Sequence, residues 1–327
     1  MNKSYFFSET AFHHEGDMEY MLDLIRLSSE IGVDGVKFQV LIEPSDFLSE
    51  CHSAFEQLRG YCFGFEEWNK IFKETTKLGL DIILMPLDLS ALNLLHHYPV
   101  KFIDIHSVSF HDTALLDQLK TFDVPVVLGV GGRALEEIEE KQDFFGQQLK
   151  GLLVGFQSFP SDIKDVKLQR IGRLKALFPK LSIGYADHSA FDDPWAVKSC
   201  EYARLLGATI FEKHLTLGEG KPRTDYESAI SGDTMKDIMA KVRFIDEFVL
   251  EEERLFDIEE PELTYRQRAK QVVATKDLRK GGILKEEDLT LRMIDKKNGY
   301  IKADELIGKK LKKDTKKHDI LSNSDFE

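Results

Sequence analysis

The sequence predicts an α/β fold: a (β/α)8 TIM barrel followed by a small β-rich domain. Three observations carry that prediction. Eight short apolar runs alternate with amphipathic stretches over about 250 residues. The first run leads into Ser8-Glu9-Thr10-Ala11-Phe12-His13-His14, which is not the Gly-rich phosphate turn that a doubly wound open sheet would need there. The charge balance also changes sign along the chain. Residues 1–261 carry 27 Lys+Arg against 45 Asp+Glu, whereas residues 262–327 carry 17 against 12.

In order, the apolar runs are 4–9 (SYFFSE), 35–40 (GVKFQV), 81–86 (DIILMP), 102–107 (FIDIHS), 124–130 (VPVVLGV), 151–157 (GLLVGFQ), 181–189 (LSIGYADHS) and 209–215 (TIFEKHL). Each has the length and composition of a strand. The helical stretches between them are 16–31, 65–78, 89–98, 112–121, 134–145, 162–178 and 193–207, and 233–253 follows the eighth run. In the fifth stretch Ile138, Phe144 and Phe145 sit among Glu136, Glu137, Glu139, Glu140 and Lys141, as a surface helix requires. The domain boundaries read from this pattern are 1–255 for the barrel, 256–268 for a charged linker and 269–327 for the small domain.

The tail contains an internal echo. Lys276-Asp277-Leu278-Arg279-Lys280, Ile283-Leu284 and Asp288-Leu289 recur 37 residues later as Lys313-Asp314-Thr315-Lys316-Lys317, Ile320-Leu321 and Asp325-Phe326. A module of about 60 residues is small for an independent core, so it is expected to dock on a barrel, its own or a partner's. No apolar run approaches the span of a bilayer, which argues against a membrane partner. The N-terminus lacks the features of a signal peptide, and Cys51, Cys62 and Cys200 show no metal-type spacing. A cytoplasmic protein with reduced thiols is the expectation. The net charge of −13 argues against nonspecific nucleic-acid binding.

Two motifs close the last two barrel runs: Gly184-Tyr185-Ala186-Asp187-His188-Ser189 and Glu212-Lys213-His214. Adjacent strands lie roughly 4.8 Å apart, so His188 and His214 could share one metal ion with open positions, as a catalytic site requires. Alternatively, each is a hydrogen-bonded histidine at a loop start. Glu9 ends the first run and could act as acid or base. Lys37 and Gln39 share parity on one strand and can both point inward. A buried lysine needs an anionic partner, which could be a ligand or an internal carboxylate such as Glu212 or Asp104.

Together, Asp34-Gly35-Val36-Lys37-Phe38-Gln39, the two histidine motifs, Leu215-Thr216-Leu217 and Thr224-Asp225-Tyr226-Glu227-Ser228 resemble the N-acetylneuraminate (sialic acid) synthase family. Val272-Val273-Ala274-Thr275-Lys276-Asp277-Leu278 resembles that family's C-terminal antifreeze-like (SAF) domain. The resemblance covers nearly the whole chain. It implies a transferase that condenses phosphoenolpyruvate with an N-acetylated hexosamine-type sugar to a nine-carbon sugar acid, with Mn²⁺ or Mg²⁺ as cofactor. It implies His188 and His214 as metal ligands and catalytic residues, with Glu9 as a catalytic carboxylate. It also implies that Lys37 meets phosphoenolpyruvate, that Gln39 meets the sugar, and that Asp225 binds a substrate hydroxyl. On this reading Lys37 is an anion binder whose replacement by Met leaves the fold intact, and metal binding weakens as pH falls through the histidine range.

The departures from the family pattern are concentrated at the donor site. Typical members place a lysine three residues before the serine on strand four; here the serine is Ser107 and that position is Asp104. The usual Ser-Thr-Gly-Met turn reads Gly129-Val130-Gly131-Gly132, so backbone groups around Gly131, with Arg133 nearby, become the candidate anion donors. The next turn offers Gln157 in Gly155-Phe156-Gln157-Ser158-Phe159-Pro160, and Met85 and Ala186 stand where hydroxyl residues are usual. In the tail, Arg292 lies beside the position of the family's substrate-contacting arginine. Three function classes follow: the synthase, another metal-assisted sugar-acid aldolase or lyase that does not use phosphoenolpyruvate, and a sugar-binding protein without turnover.

The family's usual assembly is a dimer in which the tail domain of one subunit covers the barrel of the other, and the opposite charge balances here suit such docking. Sedimentation should therefore show a dimer. Mixing a tail-deleted chain with a site-dead full-length chain should restore activity that neither has alone. A strictly monomeric yet active chain would exclude the swap.

Overall fold

The computed structural model describes residues 3–195, 197–250, 255–295 and 298–327. Eight parallel strands form a closed ring: β1 (Tyr5–Glu9), β2 (Gly35–Val40), β3 (Asp81–Pro86), β4 (Phe102–Ile105), β5 (Val126–Gly129), β6 (Leu149–Gly155), β7 (Ser182–Asp187) and β8 (Ile210–Leu215). Neighbours pair in sequence order, and β1 pairs with β8 to seal the barrel. A two-residue strand, β9 (Ala229–Ile230), extends the sheet beside the end of β8.

Helices return the chain between strands. They are α1 (Met18–Ile31), α2 (Pro44–Phe47), α3 (Phe55–Tyr61), α4 (Phe65–Lys77), α5 (Thr113–Leu119), α6 (Leu135–Phe145), α7 (Ile163–Val166), α8 (Gln169–Leu177), α9 (Ser199–Leu205) and α10 (Gly232–Phe244). The Asp17 carboxylate caps α1 by accepting from the Tyr20 N–H at 3.1 Å, and Gly32 ends it in the left-handed region at φ 77°. The short α2 and α3 escape a sequence reading because neither is long enough to display the helical period. The segment 89–98 forms a 3₁₀ helix, Ser90–His96, instead of an α-helix. The stretch 162–178 breaks at Lys167, whose φ of 53° no α-helix accommodates. After Phe244 the last barrel helix widens into a π-turn, Ile245–Val249.

Strand parity sorts the side chains into two populations. Phe6, Val36, Phe38 and Phe211 point outward and pack with helix residues such as Leu24, Trp68, Phe72 and Ile238. Phe7, Ile83, Phe102, Val127, Leu153 and Ala186 point inward and form an apolar plug across the barrel. Nearer the mouth, inward positions are taken by Glu9 on β1, Lys37 on β2, Asp104 on β4 and Glu212 on β8. The barrel thus has an apolar floor and a charged layer above it, at the C-terminal ends of the strands.

Outward polar residues on β7 and β8 anchor that end of the barrel. Asp187 accepts from Lys213 Nζ at 3.0 Å, from Ser199 Oγ at 2.6 Å and from the Ser189 N–H at 2.9 Å. Asp187 and Lys213 are at most 1% exposed. The middle residues of the two histidine motifs therefore tie β7, β8 and α9 together, and their neighbours are free to face the cavity.

The chain divides into two compact units, Met1–Glu252 and Glu253–Glu327. Within the segment read as linker, Glu260–Arg266 forms helix α11, which opens on Pro261; residues 251–254, which include the end of the stretch 233–253 read as helical, lie outside the described residues. The second unit pairs β10 (Gln271–Ala274) with β11 (Leu289–Arg292) in antiparallel sense. Its core is Val272, Leu284, Leu289, Leu306, Leu311 and Leu321.

The 37-residue echo is an internal two-fold in hydrogen bonding. Leu278 and Thr315, equivalent positions, exchange N–H···O bonds of 2.8 and 2.9 Å. The Gly281 N–H to Leu311 carbonyl bond, 2.8 Å, is matched by His318 to Ala274 at 2.9 Å. Asp314 accepts from the Lys280 N–H at 2.7 Å, and Asp277 accepts from the Lys317 N–H at 2.8 Å. The ion pairs repeat too: Lys276–Asp288 at 2.7 Å and Lys313–Asp325 at 2.5 Å.

The buried Asp187–Lys213 pair gives a stability prediction for the barrel. Lys213→Met leaves Asp187 buried without its counter-ion, which costs about 3–5 kcal/mol. Urea unfolding should show a lower midpoint with an unchanged slope. An unchanged midpoint would remove the pair from the account of barrel stability.

Candidate active site at the barrel mouth

Register places the site residues before any side-chain choice is made. Glu9 pairs with Lys37 across β1–β2 and with His214 across β1–β8. Closure of the barrel therefore brings the first strand's last residue beside both the second strand and the eighth. Glu9, Lys37, Asp104, His188, Glu212 and His214 are all 6% exposed or less. They surround a cavity of about 160 Å³ whose rim includes Ser107, Gln157, Phe159 and Asp225.

Lys37 is the hub. Its Nζ lies 2.6 Å from Glu212, 2.9 Å from Asp104 and 3.0 Å from Glu9. Of the two sequence readings for this lysine, the internal ion pair is the one present, with both candidate carboxylates and a third. Burial opposes its charge, but Asp104, Glu212 and Glu9 more than offset that and hold it as ammonium. Gln39 is likewise committed inside the protein, donating from Nε2 to Glu9 at 2.7 Å.

The two glutamates are driven apart electrostatically. Burial would raise the carboxyl pKa of Glu9, yet Lys37 and then His214 hold it well below the usual range. Glu212 is pushed well above that range by burial and by the charge of Glu9. The pair therefore holds its proton on Glu212. Burial also pushes His188 down to about 3, with His214 adding to the shift, and lowers His106.

His188 has the geometry of a ligand. Its Nδ1 lies 3.2 Å from the Phe156 carbonyl, which can only accept, so Nδ1 carries the hydrogen and Nε2 the lone pair. Its ring centroid is 5.2 Å from that of His214, and Phe159 lies over both rings, at 4.5 and 6.1 Å. Among the described residues, one ligand atom each from Glu9, His188, Glu212 and His214 lie within 4.8 Å of one another. His214 Nδ1 is buried without a hydrogen-bond partner. Two nitrogens and two carboxylates at this spacing fit a divalent first-row ion. Burial keeps His188 neutral down to about 3, and Glu212, pushed above the usual carboxylate range, holds a proton that an ion there would displace.

The remaining sequence candidates separate. Ser107 donates from Oγ to Gln157 Oε1 at 3.3 Å, and both stand at the rim. Asp225 lines the cavity from a left-handed backbone position, φ 62°. Gly131 is outside the cavity wall. A Cβ there would meet the Gly155 carbonyl at 2.5 Å and Gln157 Nε2 at 2.8 Å, so it permits a close approach of two loops. Arg133 is engaged by Glu137 at 3.2 Å and by the face of Phe110 at 4.5 Å. Arg292 belongs to the second unit, where it donates to Thr290 Oγ1 at 3.0 Å. Sequence reasoning missed His106 and Phe159. His106 shares the inward parity of Asp104, which could have revealed it, whereas a loop aromatic such as Phe159 carries no signal of its own.

Comparison with known proteins agrees with this architecture. The NeuB family model matches residues 24–253 and the SAF domain model matches 270–327. The chain belongs to the NeuB family. It is 24% identical to an N,N'-diacetyllegionaminic acid synthase of Campylobacter jejuni, across 98% of this chain and 99% of that protein. It is also 24% identical to an uncharacterized protein of Methanocaldococcus jannaschii, across 97% and 93%. Among solved structures, a protein of Chromobacterium violaceum described as a candidate spore coat polysaccharide biosynthesis protein E superposes with a TM-score of 0.83 at 23% identity, covering 99% of this chain and 100% of that one. An N-acetylneuraminic acid synthetase of Leptospira borgpetersenii gives 0.72 at 22% identity, covering 81% and 92%.

The hub corrects the expectation that Lys37 can be removed without harm to the fold. Lys37→Met leaves Glu9 and Asp104 buried without their cation, at a cost of about 3–5 kcal/mol. Thermal unfolding of the metal-free variant should show a depressed Tm, partly recovered by Mn²⁺. A wild-type Tm would mean that the carboxylates do not rely on Lys37.

Proposed function

We propose that this member of the NeuB family is a metal-dependent sugar-acid synthase that forms a carbon–carbon bond at the aldehyde of an open-chain amino sugar. The observation that carries the proposal is the buried Glu9–His188–Glu212–His214 set at the mouth of the barrel. Relatives supply the substrate class: they include N,N'-diacetyllegionaminic acid, pseudaminic acid and N-acetylneuraminate-9-phosphate synthases. An N-acetylated hexosamine-type acceptor is the corresponding choice here, with phosphoenolpyruvate as the donor that the family resemblance implies.

A divalent ion, Mn²⁺ or Mg²⁺, held by His188 and His214 with Glu9 and Glu212 would supply Lewis acidity to the aldehyde oxygen. The chain's own residues do the rest. Gln39 and Lys37 fix both oxygens of Glu9. Phe159 covers the two imidazoles and excludes water from their faces. Asp225, Ser107 and Gln157 stand at the rim, where they can accept from and donate to sugar hydroxyls and the acetamido group. A second reading, a sugar-acid aldolase using an unphosphorylated donor, is favoured by one observation: Lys37 is already held by three carboxylates.

Calorimetric titration with Mn²⁺ at neutral pH tests the ion site. Binding should release about one proton per ion, the one held by Glu212. Glu212→Gln should abolish that release, and His214→Ala should weaken binding by at least tenfold. Equal affinity in wild type and His214→Ala would sink the proposal.

A further inference from the structure

Asp225 lines the cavity from the loop after β8, and its backbone sits in the left-handed region at φ 62°. A residue with a side chain keeps that conformation where its surroundings over-determine it. Thr224, the residue before it, is held by all three of its polar groups. Its N–H and Oγ1 donate to Glu15 Oε1 at 2.8 and 3.1 Å, and its carbonyl lies 2.6 Å from His13 Nδ1. Arg223 donates to the His13 carbonyl at 3.3 Å and lies over the Tyr20 ring at 3.8 Å. The loop after β1 thus grips the loop after β8 immediately beside the rim aspartate.

His13 is the centre of this grip, and its partners fix its tautomer. The Thr224 carbonyl can only accept, so Nδ1 carries the hydrogen. Nε2 then has the lone pair and accepts from Thr216 Oγ1 at 2.9 Å. The Thr216 oxygen accepts in turn from the Gly218 N–H and from the Tyr20 hydroxyl, both at 3.1 Å. The Tyr20 oxygen accepts from the Leu217 N–H at 3.2 Å. Both ring nitrogens of His13 are therefore committed to the segment 216–224. The residue is 1% exposed and stands outside the cavity wall, so it reaches the site only through that loop.

We propose that His13 is a positioning residue for the acceptor sugar: it pins Thr224 and thereby holds the Asp225 carboxylate at the cavity. The inference rests on the proposed function, in which Asp225 accepts from sugar hydroxyls. An anchored loop presents its carboxylate before the sugar arrives, so sugar binding does not have to order it. The two nitrogens have separable tasks. The amide nitrogen of asparagine reaches the place of an imidazole Nδ1, and that of glutamine reaches the place of Nε2. His13→Asn therefore keeps a donor to Thr224. His13→Gln keeps only the Thr216 side, although glutamine is closer to histidine in size.

Hydrogen exchange read by mass spectrometry on the full chain tests the anchor without substrate. Peptides from 216–228 should exchange at least tenfold faster in His13→Gln than in wild type, and those of His13→Asn should stay near wild type. Peptides from β3 to β6 should be unchanged in both. The kinetic arm follows phosphate release from phosphoenolpyruvate with Mn²⁺ and a panel of N-acetylhexosamines. His13→Gln should raise the KM for the sugar at least tenfold with kcat within about threefold, and His13→Asn should largely restore it. In an Asp225→Ala background His13→Gln should add no further rise, because the two act as one unit. A side chain that merely fills space would give the opposite order, with glutamine better tolerated than asparagine. Unchanged exchange in His13→Gln, that opposite order, or effects that add to those of Asp225→Ala would overturn the inference. Absence of turnover with every N-acetylhexosamine in wild type, beside the expected exchange pattern, would instead remove the proposed function and sustain His13 as the anchor of the loop.

Discussion

The burial of one ammonium among three carboxylates constrains everything at the top of this barrel. Lys37, Glu9, Asp104 and Glu212 come from strands β2, β1, β4 and β8, so their contact requires the ring to be closed and the register to be correct. Desolvating such a set costs several kcal/mol per ion, and attraction repays this only when geometry is good. The arrangement is thus weak as a source of net stability and strong as a constraint. A slip of one residue on any of these strands would turn its charged group outward into the apolar layer under the helices. The closed ring and the charged layer specify each other.

The same period-2 rule divides each motif into two functions. In the β8 motif Glu212 and His214 face the cavity, and Lys213 between them faces outward to Asp187. In the β7 motif Asp187 faces outward and His188 faces in. Motif residues that look like one catalytic string are two interleaved sets: one builds the site, the other fastens β7, β8 and α9. Substitutions in the two sets should therefore differ in kind, the first affecting chemistry and ion binding and the second affecting folding.

Most of this was legible because strands and their parity are local. The eight apolar runs mark the eight strands, and the histidine pair, Glu9 and the inward direction of Lys37 and Gln39 follow from where each run ends. What the sequence could not decide was competition among partners. Lys37 had a ligand and two carboxylates as possible partners, and only the assembled barrel shows that three carboxylates reach it first. Gln39 was read as a sugar contact, yet the pairing of β1 with β2 puts Glu9 within 2.7 Å of it. Gly131 looked like an anion-binding turn, but the nearness of Gly155 and Gln157 makes it a packing glycine. Short or irregular helices such as α2, α3 and Ser90–His96 carry too few residues for a period to emerge. The tail's echo, by contrast, was legible because a duplicated pattern survives as repeated ion pairs and repeated backbone bonds.

The charged layer also sets how the barrel should respond to pH, through two opposed linkages. Glu9 has a depressed folded pKa, so it contributes stability above the ordinary carboxylate range and loses it as pH falls through its folded value. Glu212 has a raised folded pKa, so the native state holds a proton that the unfolded chain releases, and stability falls as pH rises above the ordinary carboxylate value. The ion-free barrel is therefore limited from both sides by two residues on adjacent strands. A cation held by the proposed ligand set would meet both groups, since Glu9 and Glu212 each offer it an oxygen. It would take the place of the Glu212 proton and compete with protonation of Glu9, so it should relieve the loss of stability above the carboxylate range and part of the loss in acid. The two groups that limit the ion-free barrel are thus the ones that would hold the ion, which connects the electrostatics of the fold to the chemistry of the site.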